Sequence, residues 1–176
     1  DRLRAVAEDF IKHYETRVAE GATVAGKAMF VCSNRNIAYD FYKIVKELRP
    51  EWTEKKICDD GVVLSEKDKK ELKPMEKIKL VMTRNKDDEK DLFDMLGTKE
   101  DRKEFDRQFK NPKSNFKIAI VVDMWLTGFD VPELDTIYID KPIQQHTLIQ
   151  TISRVNRVCE GKDKGLIVDY IGIKKN

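Results

Sequence analysis

Five short apolar runs, Ala28–Cys32, Ile78–Met82, Phe116–Val122, Thr136–Ile139 and Leu166–Val168, are separated by amphipathic and charged stretches. This alternation constrains the fold more than any other feature. Strands buried on both faces read as continuous apolar runs, and parallel neighbours need helical crossovers. Val6, Phe10, Tyr14 and Val18 recur every four residues among charged neighbours, which predicts an amphipathic helix ending near Gly21. Ser33-Asn34-Arg35 predicts a turn and helix cap after the first run, with a helix from about Ile37 to Leu48 stopped by Pro50. Two more helices are expected at about Lys99–Phe109 and Gln144–Val158. The pattern predicts an α/β fold, a mainly parallel sheet with helices on both faces. The expected division is an N-terminal linker helix over 1–22 and one lobe over 23–176, with a charged insertion at about 51–77.

At 176 residues the chain can bury a core without disulfides or a structural metal. Lys and Arg number 34 against 32 Asp and Glu, a net charge of +2 that points neither toward nucleic acid nor away from it. The apolar stretch around Ile118–Val122 is too short to span a membrane. Cys32, Cys58 and Cys159 are odd in number and far apart, as expected for reduced thiols in the cytoplasm. With no Cys-x-x-Cys pair and only His13 and His146, a zinc site is not expected. The chain opens at Asp1 without an initiator Met or an apolar leader, which suggests a piece of something larger.

Glu51–Lys110 departs from the alternation, with both charge signs interleaved, and is expected to be a solvated helix and a mobile loop. Within it, Glu71-Leu72-Lys73 downstream of Asp59 and Asp60 superficially matches a metal-dependent nuclease pattern. Such carboxylates normally sit on buried strands that fix the metal's oxygens. These sit in a run of solvated charge, and no metal site is assigned to them.

Two segments carry chemistry. Asp123-Met124-Trp125-Leu126-Thr127-Gly128-Phe129-Asp130-Val131-Pro132 follows the strongest strand and so lies at its carboxyl end, where open parallel sheets bind ligands. Gly128 lets backbone approach a ligand, and Asp130 supplies an acceptor for a hydroxyl or an arginine. The second segment is the helix in which Leu148, Ile152, Val155 and Cys159 form an apolar stripe. His146, Gln150, Arg154 and Arg157 line its other side. Arg154 has Gln150 and Val158 at four residues either way, not a carboxylate, and a guanidinium pair without a local acid suits phosphate oxygens.

A strand, a loop ending Gly-x-Asp and a Gln-x-x-x-Arg-x-x-Arg helix resemble the last two motifs of superfamily 2 helicases and translocases. Asp123–Pro132, Tyr138-Ile139-Asp140-Lys141-Pro142, Arg154-Val155-Asn156-Arg157 and Gly165–Gly172 resemble the motor (R) subunit of type I restriction enzymes. Lys27–Cys32 with Ser33-Asn34-Arg35 is similar to the strand and turn that open the second motor lobe there. The resemblance implies a RecA-like second lobe, a helicase C-terminal lobe, of an ATP-dependent DNA translocase that is part of a type I site-specific deoxyribonuclease. It implies Gly128, Asp130 and Gln150 at the nucleotide, and Arg154 and Arg157 as catalytic arginines on the terminal phosphates. Ser33, Asn34, Arg35 and Thr127 are implied at the DNA; the broader superfamily has Arg at the Thr127 position and Thr at the Val122 position.

The implied cofactors are ATP and Mg2+, the metal held mainly by a first lobe. Implied partners are duplex DNA, that first motor lobe, the nuclease domain of the same longer chain, and modification and specificity subunits. The sequence holds no Gly-x-x-x-x-Gly-Lys-Ser/Thr loop and no acidic strand end for magnesium, so half an ATP site is expected. Two alternatives stay open: the lobe of another superfamily 2 DNA translocase or helicase, and a stand-alone phosphate- or nucleic-acid-binding α/β module.

Overall fold

The computed structural model describes residues 1–125, 130–155 and 165–171; within the last helix the side chains of Ile152 and Arg154 fall outside that description. Five strands form one sheet: β1 (Ala28–Cys32), β2 (Ile78–Leu80), β3 (Ile118–Val121), β4 (Thr136–Asp140) and β5 (Leu166–Asp169). Their order is β2-β3-β1-β4-β5 and every pairing is parallel. The helices are α1 (Arg2–Ala19), α2 (Arg35–Leu48), α3 (Glu66–Glu71), α4 (Lys90–Leu96), α5 (Lys99–Lys110) and α6 (Gln145–Val155), with a 3-10 turn at Pro50–Thr53.

Alternation along the buried strands sorts the core into two layers. Ala28, Phe30, Ile78, Leu80, Ile118, Ile120 and Tyr138 face the α1 and α2 side, where Phe10 and Phe41 meet them. Phe30 and Phe41 stack at 3.9 Å, and Phe10 stands edge-on to Tyr138 at 4.8 Å. Such aromatic pairs add about 0.5–1.5 kcal/mol each beyond burial. The other layer joins Met29, Val31, Ala119, Val121, Ile137 and Ile139 to Phe109 of α5 and Val155 of α6. The α/β fold with helices on both faces is therefore as the alternation predicts.

Helix α1 contributes Val6, Ala7, Phe10, Ile11 and Tyr14 to the core, and polar bonds tie it across β4. Arg2 holds Asp140 with both guanidinium arms, His13 pairs with the Tyr138 hydroxyl at 2.7 Å, and Arg17 approaches Asp135 at 3.9 Å. Helix α2 starts at Arg35, two residues before the expected start, because the Asn34 side chain accepts from Ile37 N at 2.9 Å and caps it.

The stretch expected to be a solvated helix and a mobile loop differs most. Trp52, Leu72, Met75, Leu92 and Leu96 are buried, and Lys56 pairs with Met75 in an antiparallel bridge. Ser65 and Thr98 close reciprocal capping boxes with Asp68 and Asp101 at the starts of α3 and α5. Gly97 between α4 and α5 takes φ 73, and a Cβ there would meet the Asp101 side chain at 2.8 Å.

Candidate functional site

All strands are parallel, so their carboxyl ends share one edge, with Cys32 level with Asp140 and Val31 level with Val121. The chain leaves β1 through α2 toward β2 and leaves β4 through α6 toward β5, on opposite faces and in opposite directions. The gap between β1 and β4 is therefore the topological switch point, the crevice where open parallel sheets take ligands. The β3–β4 connection starts at this same edge with residues 122–125, and β1 lies between β3 and β4; residues 126–129 of the connection lie outside the described residues.

Polar contacts join the two sides. Ser33 Oγ donates to the Asp140 carbonyl at 2.9 Å. Lys141 Nζ donates to the Val122 carbonyl at 3.1 Å and to the Asp123 carboxylate, tying the end of β4 to the start of the β3–β4 connection. The Asp140 carboxylate is buried and taken up by Arg2. Cys32 is no nucleophile: burial, and then the Asp140 charge, push its thiol well above the ordinary range.

Arg35 opens α2 on the β2 side of β1. It donates to the Thr83 carbonyl at 2.6 Å and to both oxygens of Asp88 at 2.7 Å. Burial works to raise the Asp88 carboxyl, but the Arg35 hydrogen bonds, the Asn85 amide and the Arg35 charge outweigh it and hold it below its usual value. A cleft of about 160 Å3 lies here, lined by Arg35, Val81, Met82, Thr83, Val122, Asp123 and Met124. Next to it, Trp125 adopts φ 68 and stacks on Phe109 at 5.4 Å, a backbone conformation uncommon for a bulky residue.

The expected site residues divide into three groups. Ser33, Asn34 and Arg35 sit together at the carboxyl edge, each with a partner within the lobe: the Asp140 carbonyl, the α2 amide and Asp88. Asp130 is exposed where the β3–β4 connection resumes, and Gln150 is exposed on α6 beside the exposed His146. Gly128, Thr127 and Arg157, with the side chain of Arg154, lie outside the described residues. On α6, Leu148 and Val155 pack on the sheet as the stripe predicts. Asp88 escaped the sequence reading: its ion pair with Arg35 spans 53 positions, and no local spacing signals it.

Contrary to the expectation of no acidic strand end, β4 ends in Asp140 and β5 in Asp169. Asp140 is taken up by Arg2, Asp123 by Lys141, and Asp169 accepts from the Ile171 amide; no group of three candidate ligands occurs among the described residues. Neither does any helix among them have the length and apolarity to cross a membrane.

Comparisons with known proteins agree with this geometry. A family model described as type I restriction enzyme subunit R domain 3 matches residues 24–172. The type I restriction enzyme HindI endonuclease subunit of Haemophilus influenzae is 39% identical over 178 residues, 99% of this chain and 15% of that subunit. Among solved structures, a fragment described as an HsdR subunit of a type I restriction enzyme from Vibrio vulnificus superimposes with TM-score 0.61 at 15% identity, over 97% of this chain and 28% of that one. A DEAD-box helicase domain 2 bound to an RNA duplex superimposes with TM-score 0.52 at 16% identity, over 95% of this chain and 48% of that one. At such identities the two structures speak to the fold, which is the RecA-like one of helicase domains. The chain belongs to the type I restriction enzyme subunit R domain 3 family.

Proposed function

We propose that this chain is the second motor lobe of an ATP-driven duplex DNA translocase, the R subunit of a type I restriction endonuclease. It spans 15% of the Haemophilus relative, which leaves ample chain for a first lobe and a nuclease domain. The observation that carries the proposal is the switch point between β1 and β4. The start of the β3–β4 connection, tied through Asp123 to Lys141, and the root of α6, which follows β4, both leave the sheet at that carboxyl edge. A nucleotide there would meet Gly128, Asp130 and Gln150 on this side and the first lobe on the other. Magnesium is left to the first lobe, because Asp123 and Asp140 are already paired. The turn Ser33–Arg35, further along the same edge, would form part of the DNA track.

Arg154 and Arg157 are assigned to the charge on the departing γ-phosphate, a task for a permanently charged, bidentate side chain. In the full-length subunit Arg157→Ala should lower ATP turnover by roughly 10³–10⁵-fold, the range for a lost arginine finger. Nucleotide affinity should change far less, because the contact is made in the transition state. Arg157→Lys should restore little. Stability should stay within about 0.5 kcal/mol, as for a surface change. Turnover near that of the parent would refute the assignment, and a large loss of melting temperature would make the arginine structural.

A further inference from the structure

We infer that the groove between α3 and α5 is a second contact for the phosphate backbone of duplex DNA, at the edge of the sheet opposite the switch point. The groove measures about 720 Å3 and runs between α3, the last turns of α5 and the turn that follows. Because α3 leads into β2 and α5 into β3, it lies by the amino ends of the strands. Six basic side chains line it, Lys67, Lys70, Lys73, Arg107, Lys110 and Lys113, against three carboxylates. The whole chain has a net charge of only +2, so this one surface concentrates its cationic excess.

Those carboxylates are already engaged. Asp68 accepts from Lys113 Nζ at 2.6 Å and closes the Ser65 capping box; these bonds draw its pKa down to about 2. Glu104 accepts from Arg107 at 3.0 Å and Gln108 at 2.9 Å, and Glu71 faces Lys67 at 3.9 Å. Among the described residues Lys70 and Lys73 have no ion-pair partner. Exposed ion pairs are weak enough for the remaining cations to turn to phosphate oxygens.

The groove is also held in shape. Gln108, buried, donates from Nε2 to the Glu71 carbonyl at 2.9 Å, and its Oε1 accepts from Lys73 N at 3.2 Å. Asn115, buried too, donates from Nδ2 to the Met75 carbonyl at 2.7 Å. A wall fixed before binding loses less freedom when a ligand arrives. The chemistry favours a nucleic acid over a protein: no aromatic or large apolar side chain lines the groove to anchor a protein interface. Five of its six cations are lysines, point charges suited to sequence-independent phosphate contact. The inference rests on the translocase reading only for the identity of the polymer.

The test is duplex binding by the full-length subunit without nucleotide, measured against salt concentration. Replacing Lys70, Lys73 and Lys110 together by Ala should make the salt slope shallower by about 3, one per lysine. A control triple on α1 and α2, Lys12, Lys43 and Lys46 to Ala, removes the same charge and should leave the slope unchanged. Equal slopes in both variants and the parent, or equal loss in both variants, would overturn the site. So would an unchanged slope accompanied by weaker association with the modification and specificity subunits, which would make the groove a protein-docking surface. Because no nucleotide is present, failure of the arginine assignment leaves this result standing on its own.

Discussion

Lys27 is a cation where a cation is costly. It is 1% exposed at the start of β1, with Nζ donating to the Phe116 carbonyl at 2.6 Å and set over the Phe109 ring at 5.2 Å. Burial, reinforced by the charge of Lys117, drives its pKa well below 10.5, against weaker pulls from Glu133 and Asp59. The folded state thus binds fewer protons there than the unfolded state. Stability should rise with pH from the depressed value of Lys27 toward 10.5. Lys77 and Lys79, lowered by burial too, add to the rise. It is best read below pH 9.0, because the buried Cys32 thiol, raised from that value, and then the raised Tyr14 and Tyr170 work in the opposite sense. Lys27→Met keeps the length of the side chain without the charge, so it should flatten this rise and leave stability equal or higher. Urea midpoints of both proteins between pH 7 and 9 would check it; a destabilised variant with the slope intact would refute it. Nothing around Lys27 in the sequence marks it as buried, since a Lys before an apolar run normally turns to solvent. Arg35 is the same case: its exposed-looking turn gives no hint of Asp88, and only the folded β2–α4 connection brings the carboxylate to it.

Elements were legible where one periodicity dominates and obscure where charge hides it. All five strands and the helices α1, α2, α5 and α6 follow from period and cap. Burial on both faces leaves β1 and β3 without a polar interruption, while β2 carries Lys79 at its centre and β5 is only partly buried. Helices α3 and α4 did not, since each is short and α3 buries no side chain of its own. The signal that was there is the capping box, Ser65 with Asp68, which uses Asp at the third helical position in place of the usual Glu. The segment from Lys56 to Met75 is held by other elements' side chains, so its own composition says little about its order. From this follows a prediction about Gln108. Gln108→Ala would remove the bonds to the Lys73 amide and the Glu71 carbonyl, both on exposed residues that water can reach, at about 0.5–1.5 kcal/mol for each hydrogen bond lost. Hydrogen exchange should then quicken over 66–75, while β1 and β3 keep their protection. Uniform loss of protection across the sheet would show that Gln108 supports the whole core and not the insertion alone.

At the scale of the whole molecule, the mainly parallel sheet could be inferred from the sequence, but the strand order that sets the switch point between β1 and β4, and which ligand groups each loop presents, could not. The partners of Ser33 and Arg35 are set by tertiary contacts, unlike the local cap made by Asn34, so a motif names those residues without giving their bonds. The organisation of the lobe still makes a claim about what it does alone. Phosphoryl transfer needs cradled phosphates, a bound magnesium and stabilised charge together. This sequence has no phosphate-cradling Gly-Lys-Ser/Thr loop, and Asp123 and Asp140 at its carboxyl edge are paired with Lys141 and Arg2. Of the three requirements the reading assigns only charge stabilisation to this chain. The 176-residue chain by itself should therefore fold and yet hydrolyse no ATP above background, with or without DNA. Its affinity for duplex should be weak, with Kd on the order of 10⁻⁴ M at physiological salt and falling affinity as salt rises, since only phosphate contacts carry it. Steady-state hydrolysis assays and a salt titration on the purified chain decide both points. Robust DNA-stimulated turnover would mean that the lobe holds a complete site, and the division of labour between two lobes would fall. Tight, salt-insensitive and sequence-selective binding would instead make it a recognition module, because phosphate neutralisation cannot produce that behaviour.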